Sequence, residues 1–246
     1  MIVPMAWYKE WFGEEYLELY SHRDESEAEV HADFVERYLG HGARPRAVLD
    51  LACGAGRHTA ALRRRGYRAL GVDLSLTLLA RMREKGLPRV AGDMRRLPFA
   101  AESFDWVLNF FTSFGYFESE RENFRVLEEI VRVLAPGGRF LIDLLSPGTA
   151  LAGLKPKETQ ALDGREAAIE RWYDDKSHRI NKRIAVRAPG EPSRTFLESV
   201  RVYQPEEVTI GLRWAGLEVE GLFGNFHGDS YERDSERLIL LGRKPS

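Results

Sequence analysis

The stretch Val48-Leu-Asp-Leu-Ala-Cys-Gly-Ala-Gly-Arg57, followed by Gly71-Val-Asp-Leu-Ser75, decides how this chain is read. Ala47–Leu51 is a continuous apolar run, as expected of a strand buried on both faces. It runs into Asp50 and then a Gly-x-Gly turn at Gly54 and Gly56, whose missing Cβ atoms permit close backbone approach. A helix predicted from Arg57 would present free N–H groups to a ligand. A second apolar strand ends at Asp73, in the place where an acid can hold vicinal ribose hydroxyls.

Working outward, strand and helix alternate. Helix is predicted over 57–65, stopping at Gly66, and from the Ser75 cap to Gly86. A short third strand leads to Asp93, and a fourth covers 104–110. Ser119-Glu-Arg-Glu122 is a capping box for a helix that Pro136-Gly-Gly138 stops, and 139–145 is the fifth strand. The order predicts an α/β fold: a doubly wound, seven-stranded, mostly parallel Rossmann-like sheet. Residues 14–39 read as an N-terminal helical segment, and 147–164 as irregular. Three β-rich runs at 166–174, 178–187 and 195–203 predict a small inserted antiparallel sheet. A helix opens at Pro205, and 217–223 and 237–243 close the main sheet. The expected division is a helical lid at 1–45, a ligand-binding domain at 46–146 with 204–246, and an inserted β subdomain at 147–203.

In such a sheet, ligands bind beyond the strand ends. A dinucleotide fingerprint wants Gly or Ala where Thr59 stands, and a carboxylate at Asp50 would repel a pyrophosphate. The same carboxylate suits a ligand with sulfonium and ammonium groups. The loop therefore reads as a site for S-adenosylmethionine (SAM) rather than for NAD, and an NAD-linked oxidoreductase is the disfavoured alternative.

Further motifs follow in order: Ala91-Gly-Asp-Met94 with Leu97-Pro-Phe99, Phe104-Asp-Trp-Val-Leu-Asn109, and Val133-Leu-Ala-Pro-Gly-Gly138. Over 46–146 the chain resembles the class I SAM-dependent methyltransferases of bacterial small-molecule type. The resemblance implies that Asp50, Ala52, Gly54 and Gly56 flank the methionine part of SAM. It implies Asp73, with Leu74, at the ribose, Asp93 and Met94 at adenine, and Asn109 near the methionyl group. Relatives close this site with an N-terminal helix, which makes Tyr20 and Arg23 candidates near the SAM carboxylate.

The reaction implied is in-line methyl transfer to an O, N or C nucleophile of a small molecule. No Pro-Pro-Tyr follows Asn109, so the resemblance does not extend to amino-methylating nucleic-acid enzymes. His22, Tyr116 and His227 are the candidates for a general base. Tyr116, Phe117, Arg171 and Arg201 are candidate substrate residues, whereas Phe110 and Phe111 read as core. The six histidines show no metal spacing, and no metal site is expected. The lone Cys53 lies inside the turn, reads as structural, and allows no intrachain disulfide.

A net charge of −2 argues against a nucleic-acid partner, though an RNA-modifying enzyme remains an alternative, as does a SAM-binding protein without transfer activity. No run approaches the eighteen apolar residues of a membrane span, and the N-terminus lacks a secretory pattern, so no membrane partner and a cytoplasmic location are expected. The acceptor is not legible, and the oligomeric state stays open between monomer and homodimer.

Overall fold

The computed structural model describes residues 6–21, 25–39, 47–190 and 192–246. Helices α1 (Tyr8–Trp11), α2 (Glu14–Leu19) and α3 (Glu25–Leu39) precede β1 (Ala47–Leu51). Alternation follows through α4 (Arg57–Arg64), β2 (Arg68–Asp73), α5 (Leu76–Glu84), β3 (Arg89–Ala91), β4 (Phe104–Asn109), α6 (Glu120–Val133) and β5 (Leu134–Leu145). Next come α7 (Pro147–Ala152), β6 (Lys157–Leu162), β7 (Arg165–Asp174), β8 (Arg179–Arg187) and β9 (Arg194–Arg201). The chain closes with α8 (Pro205–Ala215), β10 (Glu218–Phe223) and β11 (Arg237–Arg243).

The main sheet has seven strands in the order β10-β11-β5-β4-β1-β2-β3. Pairings among β1 to β5 are parallel, and β11 runs antiparallel to both β5 and β10. The order reverses between β1 and β4, the switch point at which such sheets bind ligands. Side chains alternate between two cores, as a two-residue period requires. Leu49, Val107, Ile142 and Leu240 face one side, against α6 and α8. Val48, Leu108, Leu141 and Ile239 face the other, against α3 and α4. The expected caps form: Ser75 Oγ accepts from Leu78 N and Ser119 Oγ from Glu122 N, both at 3.2 Å.

The segment expected to be irregular, 147–164, instead contains α7 and β6. β6 pairs antiparallel with β7, so the inserted sheet has four strands, β6-β7-β8-β9. Lys157-Glu-Thr-Gln-Ala-Leu162 is an edge strand with a mostly polar sequence, so its alternation carries little hydrophobic signal. Among the described residues no helix is long and apolar enough to cross a membrane.

Candidate functional site

A cavity of about 440 Å³ opens at the carboxyl ends of β1, β2 and β4. One wall is backbone. Ala52 (φ 58°), Gly54 (φ 56°) and Gly56 (φ 78°) take the left-handed region in turn, which strips side chains from the path of a ligand. Asp73 at the end of β2 pins this loop: its Oδ2 accepts from Gly54 N and its Oδ1 from Ser75 N, both at 2.8 Å. Burial pushes the Asp73 carboxyl up, and those N–H donors oppose the shift. Ala52, Gly54, Asp73, Leu74, Asp93 and Met94 all line the cavity.

Arg95 clamps Asp93 through Nε (3.0 Å) and Nη2 (2.6 Å) and also pairs with Glu122 on α6. Burial alone would raise the Asp93 carboxyl, but Arg95 holds it below the usual range. The Arg95 guanidinium lies 4.3 Å from the Phe117 ring centroid, joining the Asp93 end of the cavity to the loop after β4.

Three residues expected at the cofactor stand behind the lining instead. Asp50 is 1% exposed and accepts from Thr59 Oγ1 at 2.6 Å, so it fastens α4 to β1 and does not line the cavity. Burial pushes its carboxyl up to about 6, against the Thr59 hydrogen bonds. Gly56 is the N-cap of α4, and a Cβ there would come within 2.7 Å of Met82. Asn109 Nδ2 donates to Leu51 O at 2.9 Å, while its buried Oδ1 has no partner among the described residues. Cys53 packs against Met82 Sδ at 3.4 Å, and burial raises its thiol strongly, which fits a structural residue.

The opposite wall is aromatic. Tyr8, Phe12, Tyr16, Tyr20, Tyr116 and Phe117 line the cavity. Phe12 stacks on Tyr116 (5.7 Å, 22°), and Tyr16 contacts Phe12 and Tyr20 at 4.9 Å each. The loop supplying Tyr116 turns sharply through positive φ at Phe111 (59°) and Thr112 (57°), a strained pair for side-chain-bearing residues. Asp143 holds that turn by accepting from Phe111 N (2.8 Å) at Oδ2, while Arg237 Nε donates to its Oδ1 (2.7 Å). Farther along, the buried Arg179 of β8 donates to the carbonyls of Gly115, Tyr116 and Phe117 at 3.0–3.1 Å. None of Asp143, Arg179 and Arg237 stood out in sequence, because their partners lie 32 to 94 residues away.

Phe110 is buried in the core and Phe111 packs against it, as read, and both also line the cavity, as does the buried Phe117. Other expectations are corrected. Arg171 pairs with Glu158, and Arg201 with Glu120 and Glu207, so neither reaches the cavity. His227 is exposed and offers its carbonyl to Arg37, while the adjacent Phe226 turns inward to stack on His31 at 3.7 Å. His22 and Arg23 lie outside the described residues.

The cavity histidine that sequence reading passed over is His58. Its Nε2 is 2.9 Å from His31 Nδ1, the rings are parallel within 10°, and Phe110 stacks on it at 4.1 Å. Burial, then Arg57, pushes both imidazoles down: His31 to about 3, and His58 far below its ordinary range. Both are neutral near pH 7, so one donates to the other and each keeps a single free-role nitrogen.

Bare backbone at Gly54 and an acid at the β2 end suit a nucleoside with a cationic amino-acid tail, as SAM is. Comparisons with known proteins agree. Residues 49–142 match the methyltransferase domain family. The cypemycin N-terminal methyltransferase of Streptomyces sp is 32% identical over 208 residues, covering 81% of this chain and 84% of that one. A demethylmenaquinone methyltransferase of Mycobacterium sp. (strain KMS) is 42% identical, but over only 42% of this chain and 43% of its own length. Among solved structures, the CcbJ methyltransferase from Streptomyces caelestis superposes with a TM-score of 0.80 at 21% identity, covering 96% of this chain and 98% of that one. The sugar N-methyltransferase KedS8 from Streptoalloteichus sp ATCC 53650 gives 0.72 at 27% identity, covering 95% and 94%. With the fold, the strand-end loop and a relative similar over most of both lengths in agreement, this chain belongs to the SAM-dependent methyltransferases.

Proposed function

We propose that this enzyme transfers the SAM methyl group to the nitrogen of a small amine-bearing acceptor. The observation that carries this reading is the aromatic wall of Tyr8, Phe12, Tyr16, Tyr20, Tyr116 and Phe117. When a neutral amine is methylated, positive charge moves from sulfur to nitrogen and stays inside the cavity. Aromatic faces stabilise such a cation before and after transfer, by about 0.5–2 kcal/mol per contact. An oxygen nucleophile instead must lose a proton to a base. His58, the histidine among the described lining residues, is held neutral and is a weak base. The relatives support nitrogen as well. One is named for methylating an N-terminus and another for methylating a sugar nitrogen, and both resemble this chain over most of its length.

In this reading residues 46–146 with 204–246 form the cofactor body, and the lid at 1–45 and the insert at 147–203 shape the acceptor side. SAM brings an electrophilic methyl on a sulfonium that is already a good leaving group. Asp73 and Leu74 take the ribose, Asp93 and Met94 the adenine, and Ala52 and Gly54 the methionyl end. Tyr20 closes over the carboxylate. Tyr116 and Phe117 orient the acceptor nitrogen and exclude water, so positioning supplies much of the rate. A cavity of about 440 Å³ lies low in the range of roughly 300–1,000 Å³ common for ligand sites, so the acceptor presents only a small reactive end beside the cofactor.

The test is turnover with SAM on matched pairs of acceptors, amine against hydroxyl in the same scaffold, read by S-adenosylhomocysteine release. Amine members should turn over and hydroxyl members should not. Preference for the hydroxyl members would overturn the reading.

A further inference from the structure

Lys182 on β8 and Glu198 on β9 are register partners in the inserted sheet. By the two-residue period Lys182 shares its face with Ile184 and Val186, the face turned to the core. Charges there are costly unless paired. Their side chains are only 7% and 17% exposed, and Nζ lies 3.7 Å from the carboxylate. Further partners come from the N-terminal segment. Lys182 Nζ donates to the Tyr20 hydroxyl and sits 4.6 Å from the centre of its ring. Tyr20 Oη donates to Glu198 at 3.2 Å, and Trp11 Nε1 donates to the same carboxylate oxygen.

Tyr20 also lines the cavity, so this cluster ties the insert directly to the cavity wall. Around it, Arg165 pairs with Glu18, Arg194 with Glu15, and Gln160 Nε2 donates to Leu19 O at 3.0 Å. On the other flank the same helices reach the cofactor body through Ser75 Oγ to Phe12 O (2.6 Å) and Arg81 to Glu14 (2.7 Å). The segment carrying Tyr8, Phe12, Tyr16 and Tyr20 is thus strapped between the two sheets, and its innermost fastening runs to a buried charge pair.

We propose that Lys182 and Glu198 are positioning residues for cofactor binding. Through them the inserted sheet fixes Tyr20 and docks the α1–α2 segment over the cavity. This rests on the placement of Tyr20 in the SAM site. A segment that is docked only part of the time lowers apparent affinity by the docked fraction. Lys182→Met and Glu198→Gln should each weaken binding of S-adenosylhomocysteine on the order of tenfold, about 1.4 kcal/mol, and Lys182→Arg should recover most of it.

The experiment is calorimetric titration of S-adenosylhomocysteine, which needs no acceptor, together with melting of the unliganded protein. Hydrogen exchange supplies a readout that general destabilisation would not mimic. In the Lys182→Met protein the amides of 14–21 should lose protection while those of 104–109 keep theirs. If the single variants fold poorly, the Lys182→Met/Glu198→Met protein removes both buried charges. It should regain stability without regaining affinity, because the Tyr20 hydroxyl has lost its hydrogen bonds to both side chains. Wild-type affinity in the folded single variants or in the double variant would overturn the proposal, as would equal loss of protection over 104–109. Failure of the unaltered protein to bind S-adenosylhomocysteine would instead remove the cofactor reading, and this proposal with it.

Discussion

The two walls of the cavity are built from different materials. Along the ends of β1, β2 and β3, the wall is main chain held by its near neighbours: Asp73 fixes Gly54 from 19 residues away and Ser75 from two. Across from it, Tyr20 is set by Lys182 and Glu198, 162 and 178 residues distant, and Tyr116 by Arg179, 63 residues distant. The first wall serves a ligand common to a whole family and is assembled by local geometry. The second is assembled by tertiary packing; in the proposed reading its Tyr116 meets the acceptor while its Tyr20 closes on the cofactor.

The largest expected effect lies where the walls meet, at His31 on α3 and His58 on α4. Both rings are buried neutral, and their folded values fall below the unfolded one. Their contribution to stability is therefore full above about pH 6.5 and is lost as pH falls toward 3. For His31 alone the shift corresponds to on the order of 4–5 kcal/mol. Urea unfolding from pH 7 to pH 4 should show steep acid loss, flattened in His31→Phe, which keeps a ring against Phe226 and cannot charge. An unchanged slope would mean that this joint does not hold the walls together.

Asp50 has the opposite sign. Its folded value of about 6 exceeds the unfolded one, so its contribution is full below about pH 3.9 and lost as pH rises through 6. Asp50→Asn keeps an acceptor for Thr59 and should gain stability relative to the unaltered protein, by roughly 3 kcal/mol between pH 4 and pH 8. Unfolding curves at the two pH values check this.

Asp73→Ala should strike the cofactor wall alone. Hydrogen bonds to a charged group contribute about 1.5–3 kcal/mol each, so losing two should raise the Kd for S-adenosylhomocysteine by at least about 100-fold. A change under about threefold would remove Asp73 from the ribose. Tyr116→Ala should strike the acceptor wall alone, with KM for the acceptor rising by about tenfold and the Kd for S-adenosylhomocysteine staying within about twofold. Equal effects on both constants would erase the distinction between the walls.

The same distinction explains what the sequence reveals. The Gly-x-Gly turn, Asp73 and the Asp93-Met94 pair are contiguous signals, and the parallel sheet follows from strand–helix alternation. Asp50 stands at the strand end, but its carboxylate turns to Thr59 and away from the cavity, because sequence does not tell which way a strand's side chain points relative to a cavity. His31 and His58 sit on separate helices with no shared spacing pattern. The Arg179 and Arg237 anchors act on carbonyls and on a buried acid that no motif marks. Arg171 and Arg201, candidates for the substrate by sequence, are each taken by a glutamate brought close by folding.

The most direct measurement is to incubate the enzyme with methyl-labelled SAM and an amine-containing metabolite extract, then locate the label in the product by mass fragmentation. Label on nitrogen is the expected result. Label on oxygen or carbon, or S-adenosylhomocysteine binding with no transfer to any component, would contradict it.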